Sequence, residues 1–324
     1  MRLCILSLAL ASLFGLVAAS VAADKNPAFT DAAKAGPDFG FQGEYAGGEG
    51  DEKWGSQVIA LGDGKFDVIG YNGGLPGDGW KRGDETKPGK GELKDGVVTA
   101  KGEGWVATIK DGVLAVTDPD GNKIIDLKKV ERKSPTLGAK PPQGAKVLFD
   151  GTTPDNFENG KIIEDNLLAS SNVTSKAKFQ DHTLHIEFRT PFMPLSRGQA
   201  RGNSGVYMQG RYELQVLDSF GLDGADNECG GIYSINKPIV NACFPPLSWQ
   251  TYDIEFTAAK YDGGKKVKNG RCTIKHNGIV IHDDQELGKG TPGKDPEGPE
   301  ANGLFLQDHG NPVAFRNIWV VEKK

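Results

Sequence analysis

The chain has 324 residues, among them 45 glycines and 18 prolines, and a formal net charge of -5. A mildly acidic chain without a basic tract is a poor binder of nucleic acid, which excludes that class of partner as the leading reading. Short apolar runs set among so many turn residues argue against a helical bundle and for an all-β protein.

Residues 1–23, MRLCILSLALASLFGLVAASVAA, carry one Arg near the start, an apolar middle, and Val21 and Ala23 before Asp24. That is the pattern of a secretory signal peptide, so the expected destination is secreted or periplasmic. Cys4 lies near the start rather than after the apolar run, which argues against a lipoprotein. No later run reaches the roughly 18–20 apolar residues of a membrane-spanning helix. Three cysteines follow: Cys229, Cys243 and Cys272. An oxidising compartment permits a disulfide, and Cys229–Cys243 would close a short loop around GGIYSINKPIVNA. Cys272, within RCTIKHNG, is expected to be a small buried hydrophobe. No Cys-x-x-Cys or His pair has zinc-ligand spacing.

Residues 24–36 read as a mobile lead-in to a small all-β domain spanning 24–133. From about Pro37 to Arg132, short alternating runs are punctuated by Gly-Asp, Asn-Gly and Asp-Gly. Lys-Asp-Gly-Val occurs at 94–97 and again at 110–113, and each instance fits a hairpin turn, because Asp-Gly supplies the positive backbone angles required there. The expectation is an antiparallel meander, closed as a barrel or folded as a roll. It contains no His; Trp80, in the loop YNGGLPGDGW, either stacks on a sugar or plugs the end of the barrel. SPTLGAKPPQGAK (134–146) is a linker by composition.

The second domain, 147–324, opens at VLFDG and continues through HTLHIEFRT, SGVYMQG, RYELQVLD, TYDIEFTAA, RCTIKHNGIVIHD, GLFLQDHG and VAFRNIWVVE. Many short strands without an amphipathic helix predict an antiparallel β-sandwich. Alternation sends Leu184, Ile186 and Phe188 inward and His185, Glu187 and Arg189 outward; likewise Leu214 and Val216 inward, Glu213 and Gln215 outward. Tyr252, Ile254 and Phe256 go in, as do Leu304 and Leu306, leaving Asp253, Glu255, Phe305 and Gln307 outside. His182 and His185, three apart, point to opposite faces and cannot share a metal. The outward residues describe either an ordinary solvated sheet face or the floor of a polar groove suited to sugars. Glu213 reads as a base beside Gln215 or as half of an ion pair with Arg211 or Arg316, and His309 stands in a turn at a strand end.

LFDG, GNSGVYMQGRYELQVLDS, CGGIYS, PPLSWQTYDIEF, HNGIVIHD and GLFLQDHGNPVAFRNIWV, in that order, resemble the landmarks of the 3-keto-disaccharide hydrolase (3-keto-glucoside lyase/hydratase) family over about residues 145–324. The first domain resembles a companion in secreted members of planctomycete type, for which no activity is implied. The sequence departs from the family pattern at Asn156-Phe157 and at Trp249-Gln250, and the insertion FRTPFMPLSRGQARGNSG is long. The resemblance implies a concanavalin A-like jelly roll and an enzyme acting on oxidised glucosides. A ketone at C3 acidifies the C2 proton, so a modest base can remove it and expel the C1 oxygen by β-elimination, with or without rehydration. On that reading Glu213 or His309 is the base, and Tyr207, Asp218 or His309 the acid. Asn203, Gln215, Gln307 and Arg316 supply donors, Trp249 or Tyr233 a stacking face, and Asn203-Ser204-Gly205 the rim. A divalent metal near Glu213, Asp218 or His309 could polarise the ketone. The competing expectations are a non-catalytic, lectin-like sandwich and an envelope interaction protein that docks through its first domain.

Overall fold

The computed structural model describes residues 26–164 and 166–323, so the expected signal peptide lies outside the described residues. Eight antiparallel strands form a closed barrel: β1 (Gly43–Gly47), β2 (Trp54–Gly62), β3 (Lys65–Asn72), β4 (Thr86–Lys94), β5 (Val97–Gly102), β6 (Trp105–Lys110), β7 (Val113–Thr117) and β8 (Lys123–Val130). Each strand pairs with the next in sequence and β8 returns to β1. The Asp-Gly turns behave as their chemistry requires: Asp95 and Asp111 lie at φ 50°, with Gly96 and Gly112 at 79° and 76°. Inward positions hold Val58, Ala60, Phe66, Val68, Val98, Ala100 and Ile109, all buried.

One end of the barrel is sealed by Phe192 from the second half of the chain. Its ring lies 5.2 Å from Phe39 and 6.1 Å from Phe29. Phe29 and Phe192 also exchange backbone hydrogen bonds of 2.9 Å each way, so this part of the supposed lead-in is anchored. Trp80 does not plug the barrel: it packs edge-on against Tyr71 and joins the core of the neighbouring sandwich.

The sandwich has two antiparallel sheets. The larger contains β9 (Lys146–Phe149), β11 (Ile162–Ile163), β12 (Leu167–Ala169), β14 (His182–Arg189), β17 (Gln250–Thr257), β18 (Gly270–His276), β19 (Ile279–Leu287) and β21 (Ala314–Glu322). Its order is β11-β12-β21-β14-β17-β18-β19, with β9 also on β21. The smaller sheet runs β10 (Phe157–Glu158), β13 (Val173–Phe179), β20 (Asn302–Leu306), β15 (Ser204–Met208) and β16 (Tyr212–Val216). Between them Leu184, Ile186, Phe188, Val206, Leu214, Val216, Ile254, Phe256, Leu304 and Leu306 form one apolar core, on the faces that alternation predicts. The whole is an all-β jelly-roll sandwich preceded by a barrel. Among the described residues no helix is long and apolar enough to cross a membrane.

Two expectations need correction. His185 and Glu187 face outward from β14 but are fully buried, because the proline-glycine segment lies across that face as a strap. Ser134 bonds Thr251 (2.6 Å), Thr136 donates to Asp253 (2.6 Å), and the Gly138 amide donates to Glu187 (2.6 Å). His185 Nδ1 meets Asp253 at 2.6 Å, and Arg316 and Asn317 donate to Glu187 at 2.7 and 2.9 Å. Second, Cys229 and Cys243 are free buried thiols rather than a disulfide. Cys229 Sγ lies 3.2 Å from the Tyr252 hydroxyl, and Cys243 Sγ 3.4 Å from the Phe244 carbonyl. Cys272 is buried as expected, which pushes its thiol up to about 12.

Candidate functional site

The outward face of the smaller sheet carries a cleft of about 220 Å³. Its floor is set by strand register. Tyr207 stands opposite Glu213 and Gly205 opposite Gln215 on the β15–β16 pair, and the Gln307 amide bonds the Gly205 carbonyl at 3.0 Å. Side chains of alternate residues on adjacent strands share a face, so Tyr207, Glu213, Gln215 and Gln307 converge. Asn203, Tyr233, Pro292, Gly293 and His309 complete the walls together with Gln199.

This face is not an ordinary solvated one: Glu213 is 4% and Gln215 1% exposed. Loops lie along the free edge of β16, where Tyr233 N bonds the Glu213 carbonyl (3.0 Å), Gln215 N the Gly231 carbonyl (2.9 Å), and Glu213 N the Thr291 hydroxyl (2.8 Å). Burial pushes the Glu213 carboxyl from 4.5 up to about 7, and the Tyr207 hydrogen bond opposes the rise. No cation pairs with Glu213 among the described residues: Arg211 donates to the carbonyls of Pro296 and Glu300, and Arg316 to Glu187. Burial, then the neighbouring Glu213 charge, holds the Tyr207 phenol well above its ordinary range, so it keeps its proton.

The amides in the cleft are oriented by their own N–H groups. Asn203 Nδ2 donates to the Gln199 carbonyl (2.8 Å), Gln215 Nε2 to Gln199 Oε1 (3.2 Å), and Gln307 Nε2 to Tyr207 Oη (3.1 Å). Their oxygens, Asn203 Oδ1, Gln215 Oε1 and Gln307 Oε1, are buried and have no partner among the described residues. Three orphan acceptors in one cleft are suited to a ligand rich in hydroxyl donors. Gly205 makes room beneath them: a Cβ there would lie 2.7 Å from Glu213 Oε1 and 2.8 Å from the Tyr207 ring.

The structure thus gathers Glu213, Tyr207, His309, Asn203, Gln215, Tyr233 and Gln307, and leaves four expected site residues elsewhere. Asp218 lies past the end of β16, where its carboxylate accepts from Arg201 Nε at 2.7 Å and is 3% exposed. Arg316 belongs to the larger sheet, bound to Glu187, with its guanidinium 3.8 Å over Trp249. Trp249 is flanked on the same side of the molecule by Arg189, at 5.3 Å. Ser204 points to the other face of β15, and its hydroxyl donates to the Gln307 carbonyl (2.7 Å), which fixes the strand carrying Gln307. Gln199 escaped the sequence reading; the only signal was the long polar insertion that contains it.

The described residues contain no group of three or more His, Cys, Asp or Glu side chains arranged to hold a metal ion. The cleft offers one carboxylate, one imidazole and neutral amides.

A family model, the 3-keto-alpha-glucoside-1,2-lyase-like domain, matches residues 144–321, more than half of the chain. The chain belongs to this family. A crystal structure from Parabacteroides distasonis, of a protein provisionally classed as a glycosyl hydrolase, is 31% identical, covering 56% of this chain and 85% of that one at a TM-score of 0.51. Two further structures from that organism, classed in the same way, are 16% and 20% identical, cover 56% and 55% of this chain and 95% and 99% of theirs, and have TM-scores of 0.41 and 0.39. No curated protein matches the sequence. The family model covers the sandwich and its cleft; the barrel precedes it.

Proposed function

We propose that the protein is an exported carbohydrate-active enzyme that cleaves 3-keto-glycosides through the cleft on the smaller sheet. The reading is supported above all by one juxtaposition: a carboxyl raised to about 7 among three orphan amide oxygens. A carboxylate with that affinity for protons is a stronger base than an ordinary glutamate, yet is half ionised at neutral pH. Glu213 takes the C2 proton of the 3-keto sugar; the electron pair moves into the C1–C2 bond and the C1–oxygen bond breaks, leaving an enone. Tyr207, protonated and steadied by Gln307, donates a hydrogen bond to the developing enolate oxygen. His309, the exposed member, delivers a proton to the departing oxygen. Water adding back to the enone gives net hydrolysis. Asn203, Gln215 and Gln307 accept from the sugar hydroxyls, and Tyr233 supplies a ring face. Asp218 has no part in this scheme, being held by Arg201. Residues 1–23 direct the chain out of the cytoplasm. A lectin-like reading calls for no strongly shifted titratable group at the cleft, whereas burial raises the Glu213 carboxyl to about 7; Trp249 lies beside the other sheet between two arginines.

The test offers purified protein a 3-keto-disaccharide and its unoxidised parent, with products followed by mass spectrometry. Cleavage of the keto-sugar alone is expected, with an acid limb near about 7 in kcat/KM and a loss of about 10²–10⁴-fold in Glu213→Gln. If neither sugar is cleaved, or Glu213→Gln turns over at the wild-type rate, the proposal fails.

A further inference from the structure

We propose that the open mouth of the barrel is a second binding site, for a small uncharged aromatic alcohol. The sandwich seals one end of this barrel with Phe192, while the other end is left hollow. An eight-stranded barrel interior is either filled by its own side chains or large enough for one small ligand. Three inward positions on adjacent strands are glycine: Gly70 on β3, which lines the space left open, and Gly89 on β4 and Gly102 on β5. Against two of them lies the Trp105 indole, since a Cβ on Gly89 or Gly102 would stand 2.5 or 2.3 Å from that ring. The remaining space is about 310 Å³, lined by Trp54, Val68, Trp105, Leu114, Val116 and Ile125. A cavity of roughly 150 Å³ takes one benzene, so this one has room for a fused two-ring system.

Polarity narrows the ligand. Ser56 is 2% exposed and Trp105 8%, and among the described residues neither Ser56 Oγ nor Trp105 Nε1 has a hydrogen-bond partner. Buried polar groups in native proteins are nearly always paired, so two orphans on the wall of one apolar cavity mark where a ligand's polar group belongs. The Ser56 hydroxyl can donate or accept, so a ligand hydroxyl satisfies it in either sense. Lys87 at the rim is already paired with Glu85 at 2.6 Å, and exposed Glu103 stands at the same rim, so there is no excess positive charge to hold an anion. Trp54 and Trp105 offer ring edges and faces for an arene. None of these residues belongs to the sandwich cleft, so the inference stands apart from the proposed catalysis.

The experiment titrates the full-length mature chain with 2-naphthol and with naphthalene, reading tryptophan quenching and calorimetric stoichiometry. One saturable site for 2-naphthol is expected. Gly70→Leu fills the mouth, and its Cβ would have only ordinary contacts, the nearest 3.4 Å away; binding should weaken at least about tenfold, the effect of losing the cavity's apolar contacts. Ser56→Ala should weaken 2-naphthol about fivefold, as loss of one hydrogen bond does, and leave naphthalene unchanged. Non-saturating quenching would overturn the proposal. So would wild-type affinity in Gly70→Leu, or equal losses for both probes in Ser56→Ala.

Discussion

Glu213 holds its proton because it is buried and no described residue offers it a cation. The same burial that makes it a base makes it a liability to the fold. Its native pKa of about 7 lies above the ordinary 4.5, so the folded state binds this proton more tightly than the unfolded chain does. The contribution is therefore fully present below about pH 4.5 and is lost as pH rises through 7. At 1.36 kcal/mol per pKa unit the loss is about 3 kcal/mol at most. Glu213→Gln should consequently leave stability unchanged near pH 4 and raise it near pH 8. Urea unfolding at the two pH values measures this directly, and equal midpoint changes at both would refute the account. Glu187 obeys the opposite sign. Burial alone would raise it, but hydrogen bonds from His185, Asn317 and Arg316 bring it down to about 2, so its contribution is lost only as pH falls from 4.5 toward 2.

At the scale of elements, the β15–β16 pair turns register into a site. Gly205 is the position where any side chain would strike both Glu213 and Tyr207. Gly205→Ala should fold, because the far end of a carboxylate can shift, yet lower kcat on a 3-keto-disaccharide by about 10²-fold, the usual effect of misplacing a reacting group by about 1 Å. Its acid limb should also move below 7 as Glu213 gains water. Wild-type kcat in this variant would show that the carboxylate position does not matter. The faces of these strands were legible from alternation alone, since Leu214 and Val216 could only be buried with Glu213 and Gln215 opposite. What covers a face was not legible. The strap over His185 and Glu187, and the loops beside β16, come from segments without periodicity, placed by long-range hydrogen bonds. Nor could local pattern tell which sheet a strand joins, and so Trp249 and Arg316 were expected beside residues of the other sheet. Asp218 looked available because its partner, Arg201, lies 17 positions earlier in a segment with no strand pattern.

The whole molecule is two β units fastened by arginines. Arg132, at the end of the barrel, makes a two-pronged bond to buried Glu44 (2.7 and 2.5 Å), donates to the Pro76 carbonyl and lies 5.1 Å over the Phe244 ring of the sandwich. Arg82 reaches the carbonyls of Gly224, Pro238 and Ile239, and Arg197 that of Leu61. Arg132→Met keeps the length of the side chain but strands the Glu44 carboxylate, 1% exposed, without its cation. The expected loss is about 3–5 kcal/mol, read from the denaturation midpoint; an unchanged midpoint would mean that Glu44 does not depend on this cation.

The place of β21 has a consequence for how the protein is made. This strand follows every other strand of the sandwich in sequence, yet it lies inside the larger sheet, with β12 on one side and β14 on the other. A ribosome delivers it after everything it must separate and join. The barrel strands, each paired with its sequence neighbour, can zip up while the rest is still emerging, but the sandwich cannot close until residues 314–322 have left the exit tunnel. Until then β12 and β14 lack the strand that joins them, and the larger sheet stays in two pieces although every other strand of the sandwich is already made.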